Sequence, residues 1–285
     1  MNEQVLNVNH LKKGFGKMEV LHDISLTVSR GDVYGLVGQN GAGKTTLLRL
    51  ITGLMKPSGG SVIIHTEKDF VGYMPQSCRF DNGASVADTI RFFAFIRRAN
   101  CEMGFSLCKK LELDIAKKVK HLSPGQQKKL QLVIAMTGEP DLYILDEPTA
   151  GLDPNATYEM MNMIESIHKD GKSILISSHI LQDMDEICTN IAILEKGNLI
   201  YSRELEGSYM IKTEPIPRRI YEVLVQKYSL ACNENRTILN VKTDKNGVSE
   251  LVKALAIDSI GIFEVSSSNV KTIVQEQMHI GGGEL

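Results

Sequence analysis

The chain has 285 residues, 42% of them hydrophobic and 6% aromatic, and a formal net charge of -2. That length accommodates one large domain and a small one, and the composition excludes a disordered or nucleic-acid-coating protein. The longest apolar runs, such as Leu132-Val133-Ile134-Ala135-Met136, fall far short of the roughly 20 residues of a membrane helix, so the polypeptide is expected not to span a bilayer.

The start, Met1-Asn2-Glu3-Gln4, lacks a basic stretch followed by an apolar one, which predicts a cytoplasmic protein without a secretory signal. Leu6 and Val8, then Leu26 and Val28, alternate with polar residues and predict antiparallel strands. Gly31-Asp32 marks the entry to a buried strand at 33–37, and Leu47, Leu50, Ile51 and Leu54 then follow at helical spacing. Further strands are expected at 142–145 and 173–176, with Met160, Met163, Ile164 and Ile167 forming the core face of a helix between them. Short apolar strands alternating with amphipathic helices spell an α/β domain. The composition changes at Glu206-Gly207-Ser208, after which strand-like runs at 209–213, 237–242 and 261–265 alternate with helical stretches and predict a small second α/β domain. Gly281-Gly282-Gly283 is expected to be a frayed tail. The cysteines, Cys78, Cys101, Cys108, Cys188 and Cys232, are odd in number and scattered, so reduced structural thiols are expected.

The segment Gly38-Gln39-Asn40-Gly41-Ala42-Gly43-Lys44-Thr45 fits GxxxxGK[ST] between a predicted strand and a predicted helix. A polyphosphate needs converging backbone N–H donors, and glycines allow both the tight path and the close approach. Gly38, Asn40, Gly41, Gly43, Lys44, Thr45 and Thr46 are therefore candidate phosphate-binding residues, with Lys44 reaching the β- and γ-phosphates and the Thr45 hydroxyl on Mg²⁺. Leu142-Tyr143-Ile144-Leu145-Asp146-Glu147 ends an apolar strand in two carboxylates, where a parallel sheet places its active site. Asp146 is the candidate for the magnesium shell, and Glu147 for accepting a proton from the attacking water.

Leu122-Ser123-Pro124-Gly125-Gln126-Gln127 narrows the field, because it resembles the LSGGQ signature of the ATP-binding-cassette family. Other elements similar to that family follow in order over about residues 1 to 205. Gln76, in Tyr73-Met74-Pro75-Gln76, resembles the glutamine that links the nucleotide site to a transmembrane partner and joins Thr45 and Asp146 in the implied Mg²⁺ set. Ala150-Gly151-Leu152-Asp153 resembles the subunit-contact loop, with Asp153 as its acid. His179 matches the switch histidine, a second catalytic candidate beside Glu147, and Phe15 takes the place of the aromatic that stacks on adenine. Ser123, Gly125 and Gln126 are expected to meet nucleotide held by another subunit.

The resemblance implies a P-loop NTPase fold at 1–206 with antiparallel N-terminal strands and a helical subdomain at about 77–135, followed by the small α/β domain at 207–285. It also implies a Mg²⁺-dependent ATPase that pairs with a second cassette, identical or homologous, and drives a separate transmembrane permease from the cytoplasmic face. No nucleic-acid partner is expected. The C-terminal extension is similar to that of exporters of drugs, peptides or ions. A soluble assembly or regulatory machine is the alternative, against which stand the lack of a tandem cassette and of a long heptad insertion. Pro124 departs from the signature by removing a backbone N–H, but Ser123 as N-cap and proline at the first helical position would let the helix start normally. The lysines at 109, 110, 117, 118 and 120 are expected to be a solvated surface.

Overall fold

A computed structural model of the chain describes residues 3–66, 70–204, 208–243 and 245–267. The chain divides into two compact units, Met1–Ser202 and Arg203–Leu285. The domain boundary expected at 206 and the glycine tail both lie outside the described residues.

The first unit opens with β1 (Gln4–Phe15) and β2 (Met18–Ser29), then β3 (Val33–Val37), α1 (Lys44–Ile51) and β4 (Gly59–Ile64). Leu6 pairs with Val28 and Val8 with Leu26, so the alternation in sequence sends all four side chains to the buried face. β4 completes a three-stranded antiparallel sheet in the order β2-β1-β4. β5 (Gly72–Met74) then leads into a helical region of α2 (Val86–Ile96), α3 (Glu102–Lys110) and α4 (Pro124–Met136). A capping box between Ser85 and Asp88 starts α2, and the Arg97 guanidinium at its end donates to the Ile134 and Thr137 carbonyls of the α4 terminus.

β6 (Leu142–Asp146), α5 (Pro154–Lys169), β7 (Ser173–Ser178), α6 (Leu181–Ile187), β8 (Asn190–Glu195) and β9 (Asn198–Glu204) finish this unit. Its six-stranded sheet runs β5-β6-β7-β3-β8-β9, and β5, β6, β7, β3 and β8 pair in parallel. Every residue of β3, β6 and β7 is buried, which is why these strands read as continuous apolar runs rather than alternating ones. Their common direction places the segments after β3, β5, β6 and β7 at one edge of the sheet.

The second unit comprises β10 (Ser208–Thr213), α7 (Arg218–Lys227), β11 (Ser229–Cys232), β12 (Ile238–Lys242), α8 (Lys245–Ile257) and β13 (Ile262–Ser267). The sheet order β11-β12-β10-β13 with antiparallel pairing is the β-α-β-β-α-β arrangement of ferredoxin-like folds. Its core gathers Ile211, Leu239 and Val241 of the sheet with Leu224, Leu251 and Leu255 of the helices.

Three expectations from the sequence need correction. α1 stops at Ile51, and Leu54 lies beyond it in the following turn, 67% exposed. Met163 is half-buried and Met161 takes its place in the core, because α5 presents Met160, Met161, Ile164 and Ile167 inward. Lys117 is not simply solvated: its ammonium donates to Gln126 Oε1 at 2.9 Å. All five cysteines are free thiols.

Candidate functional site

The loop after β3 closes on itself before α1 begins. Gly43 caps the helix with φ 110, and a Cβ there would stand 2.7 Å from Leu21 Cδ2, so both the backbone path and the packing require glycine. α1 starts at Lys44 without an acidic residue in its first turn, so no carboxylate of the helix itself offsets the positive end of its dipole. The buried Lys44 ammonium folds back to donate to the Gly38 carbonyl at 2.5 Å. Asn40 and the positive-φ Gly41 (φ 84) are exposed at the loop crest, and Thr45 and Thr46 are half-buried in the first turn of α1.

The Lys44 ammonium is also 3.2 Å from Glu147 Oε1, and Glu147 Oε2 is 2.6 Å from His179 Nδ1. The loop after β3, the turn after β6 and the end of β7 thereby meet in one line of charged and polar groups. The side chains of Lys44 and Glu147 are only 6% and 4% exposed, whereas His179 is 46% exposed. A buried ion pair is tolerable when both partners have further hydrogen bonds, and here Gly38 and His179 supply them.

Glu147 has φ 50, an unusual backbone for a non-glycine residue, which costs on the order of 1–3 kcal/mol and persists only where the surroundings impose it. The surroundings are specific. Its N–H donates to both the carbonyl and the hydroxyl of Ser177, each at 3.1 Å. Its carbonyl accepts from the Lys128 ammonium at 3.0 Å. Next to it, Asp146 Oδ1 accepts from the Ser177 hydroxyl at 2.7 Å, while the buried Oδ2 has no hydrogen-bond partner among the described residues. A buried carboxylate oxygen in that position is suited to a hard cation.

Lys128, on α4, is 9% exposed and also donates to the Gln76 carbonyl at 2.9 Å. Burial pushes its ammonium below the ordinary lysine range, and the Asp146 and Glu147 carboxylates pull the other way. Thr149 donates to Asp183 at 2.7 Å and so ties the turn after β6 to α6.

Ser123, Gly125 and Gln126 occupy the start of α4. The Ser123 hydroxyl accepts from the Gln126 N–H, the Gln126 side chain accepts from the Ser123 N–H, and Pro124 sits at the first helical position. Gly125 faces Leu152 and Ala156. Asp153 caps α5 by accepting from the Ala156 N–H at 3.0 Å. Gln76 is exposed, and Phe15 is 47% exposed with the Lys13 ammonium 5.0 Å above its ring. Among the expected site residues, Lys44, Glu147 and His179 are thus joined directly. Asp146 is joined to them through Ser177, and Gln76 through Lys128.

Sequence reasoning missed Lys128, Ser177, Thr149 and Asp183. For Lys128 a signal existed: once the helix start is set at Pro124, Lys128, Leu132 and Ala135 fall on one face, and the latter two are plainly core residues. Ser177 interrupts an apolar strand just before His179. Thr149 and Asp183 are 34 residues apart, and nothing local connects them.

A profile of the family described as ABC transporter matches residues 21–150. The lantibiotic transport ATP-binding protein SrtF of Streptococcus pyogenes is 32% identical over 212 residues, covering 72% of this chain and 93% of that protein. The Nod factor export ATP-binding protein I of Cupriavidus pinatubonensis is 33% identical over 214 residues, covering 69% of this chain and 65% of the relative. A solved structure titled as the ATP binding subunit of an ABC transporter superposes with a TM-score of 0.65 at 28% identity, covering 71% of this chain and 90% of that one. With the phosphate-loop geometry, the paired carboxylates of β6 and these likenesses in agreement, the chain belongs to the ATP-binding subunits of the ABC transporter family.

Proposed function

We propose that this chain hydrolyses ATP with Mg²⁺ at the Lys44, Glu147 and His179 cluster, and that turnover drives export of a peptide, drug-like molecule or ion through a separate membrane subunit. The observation that carries the reading is the buried Glu147 carboxylate, held between the Lys44 ammonium and the His179 imidazole at the end of β6. The N–H groups of the loop 38–43 and the first turn of α1, with Lys44, would hold the β- and γ-phosphates, while Phe15 would stack on adenine through the ring face that Lys13 leaves open. Glu147 accepts a proton from water as the water oxygen bonds to the γ-phosphorus, and the bond from that phosphorus to the bridging oxygen breaks to release ADP. His179 holds the carboxylate through Oε2, and Oε1, which lies 3.2 Å from the Lys44 ammonium, would be the oxygen that takes the proton.

The free Oδ2 of Asp146 fits a magnesium ion, for which Thr45 and Gln76 would be the further ligands. When bound, Mg²⁺ supplies positive charge against the phosphate oxygens. Ser123, Gly125 and Gln126 would close over nucleotide held by a second cassette, near the Asp153 loop of each. Export is favoured by the names of the two relatives, one for lantibiotic transport and one for Nod factor export.

No described helix is long and apolar enough to cross a membrane, so a separate subunit would carry the substrate path. A surface for that subunit is offered by α2, where Phe92, Phe95 and Ile96 are 58%, 82% and 57% exposed. Beside them an open cleft of about 990 Å³ is lined by Phe70, Ile96, Arg97, Asn100, Met103 and Gly138. Exposed apolar patches such as that of Phe92, Phe95 and Ile96 mark contact surfaces. Attachment there would place the chain at the cytoplasmic face of the membrane. Purifying the tagged chain from gently solubilised native membranes tests this: a stoichiometric multi-spanning protein, lost in Phe95→Asp, is expected. Recovery from the soluble fraction with an assembly machine attached would overturn it.

A further inference from the structure

We propose that Lys128 is a positioning residue that links the signature helix to hydrolysis, by fixing the Glu147 turn and the Gln76 segment to α4 so that the three move as one. The proposal rests on the placement of hydrolysis at Glu147 argued above.

An ammonium this deeply buried needs acceptors, and those of Lys128 come from two segments that are distant in sequence. One acceptor is the carbonyl of Glu147, the residue whose carboxylate is placed for chemistry, and the other is the carbonyl of Gln76. The Glu147 peptide is therefore pinned on both sides, by Ser177 at its N–H and by Lys128 at its carbonyl. That double attachment accounts for the retention of φ 50 at this residue. The Ala150 N–H also donates to this carbonyl at 3.2 Å and closes the turn; without the Lys128 contact that turn is no longer tied to α4, and the carboxylate loses its register with Lys44 and His179.

Lys128 also lies within about one and a half turns of Ser123, Gly125 and Gln126, the residues expected to close on a second cassette's nucleotide. At the start of the same helix, Gly125 faces Leu152 and Ala156, which follow Glu147 in the chain. A shift of α4 is thus conveyed to Glu147 from two directions, through the Lys128 ammonium and through the loop after β6. Through Gln76 it also reaches the segment after β5. The contacts are backbone carbonyls, so they depend on a long cationic side chain at 128 and not on side-chain identity at 76 or 147.

The experiment compares Lys128→Met, Lys128→Gln and Lys128→Arg with the parent in the full chain. Steady-state hydrolysis of ATP and hydrogen exchange of peptides covering 74–78 and 146–150 are measured. A loss of fixed geometry at a reacting group costs about tenfold to a hundredfold in rate. Lys128→Met is expected to lower kcat by that factor with KM for ATP held within about threefold, because the phosphate-loop contacts are untouched. Exchange should quicken in both peptides, and Lys128→Arg should recover most of both readouts. Lys128→Gln keeps a donor without the charge and should fall between Met and the parent, so it carries the test if the methionine variant does not fold. An unchanged kcat with unchanged exchange in the Gln or Met variant overturns the proposal. So does a uniform rise in exchange over the whole first unit with no recovery by arginine, the signature of a merely structural lysine. Glu147→Gln, run alongside, separates the two layers: parental turnover in that variant would remove the site reading, while the exchange data would still report whether Lys128 ties the two segments.

Discussion

At one edge of the parallel sheet, the first unit takes Lys44, Lys128, Asp146, Glu147, Thr149, Ser177 and Ser178 into its interior, whereas in the second unit the buried polar residue among those described is Thr213. Both units have well-packed apolar cores, so the difference does not lie in the ability to fold. It lies in where desolvated polar groups are tolerated. Each such group costs free energy unless it is paired, and the first unit meets that cost repeatedly in one place with mutually bonded partners. Among its described residues the second unit buries Ile211, Leu224, Leu239, Val241, Leu251 and Leu255 between helices and sheet.

The contrast breaks most visibly if damage to the second core stops turnover. Leu251 is fully buried, and Leu251→Ala is expected to destabilise the second unit by about 2–5 kcal/mol in denaturant unfolding. ATP hydrolysis should stay within about twofold of the parent, since one change in an apolar core leaves the phosphate loop alone. A proportional loss of turnover would show that the second unit supports the site. A complementary change in the first unit is Lys44→Ala, which removes a buried cation from the loop 38–43. Charge-assisted hydrogen bonds are worth about 1.5–3 kcal/mol each, so ATP affinity measured by calorimetry should fall about 10²-fold while the second unit unfolds as before.

The smallest effect is a pH dependence within the first unit but away from the site. Burial pushes the Cys108 thiol from an ordinary 9.0 up to about 11. The folded state then holds a proton that the unfolded state has released over that interval. Its contribution to stability is complete below pH 9.0 and is lost as pH rises through about 11. Thermal unfolding from pH 8 to 11 should show a steeper decline for the parent than for Cys108→Ala, and equal slopes would count against a buried, protonated Cys108.

Much of this architecture was legible because local signals and tertiary structure agreed. The alternation at Leu6, Val8, Leu26 and Val28 pointed to antiparallel strands with one buried face, and β1 and β2 pair in that way. The apolar runs of β3, β6 and β7 gave the parallel core, and the glycines of 38–43 marked the loop between β3 and α1. At the start of α4, the Ser123–Gln126 capping box and Pro124 at the first helical position begin the helix as those residue types predict. Short strands such as β5 and β11, with three and four residues, carry too little pattern to stand out and exist because neighbouring strands receive them. The same limit applied to the site. Lys44, Asp146, Glu147 and His179 announced themselves by motif, but Lys128 reaches acceptors 52 and 19 residues away, and Ser177 and Asp183 act across similar separations. Sequence spacing records which side chains share an element, not which elements converge.

The central claim, that the carboxylate held between Lys44 and His179 performs the hydrolytic step, is tested most directly by single-turnover hydrolysis of ATP with Glu147→Gln in the full chain with Mg²⁺. Glutamine preserves the size of the side chain and removes its capacity to accept a proton. The account predicts ATP binding close to that of the parent and a hydrolytic rate lower by about 10²–10⁴-fold, the usual worth of a positioned general base. Hydrolysis at the parental rate with ATP fully bound would contradict it and would place the base elsewhere in the chain.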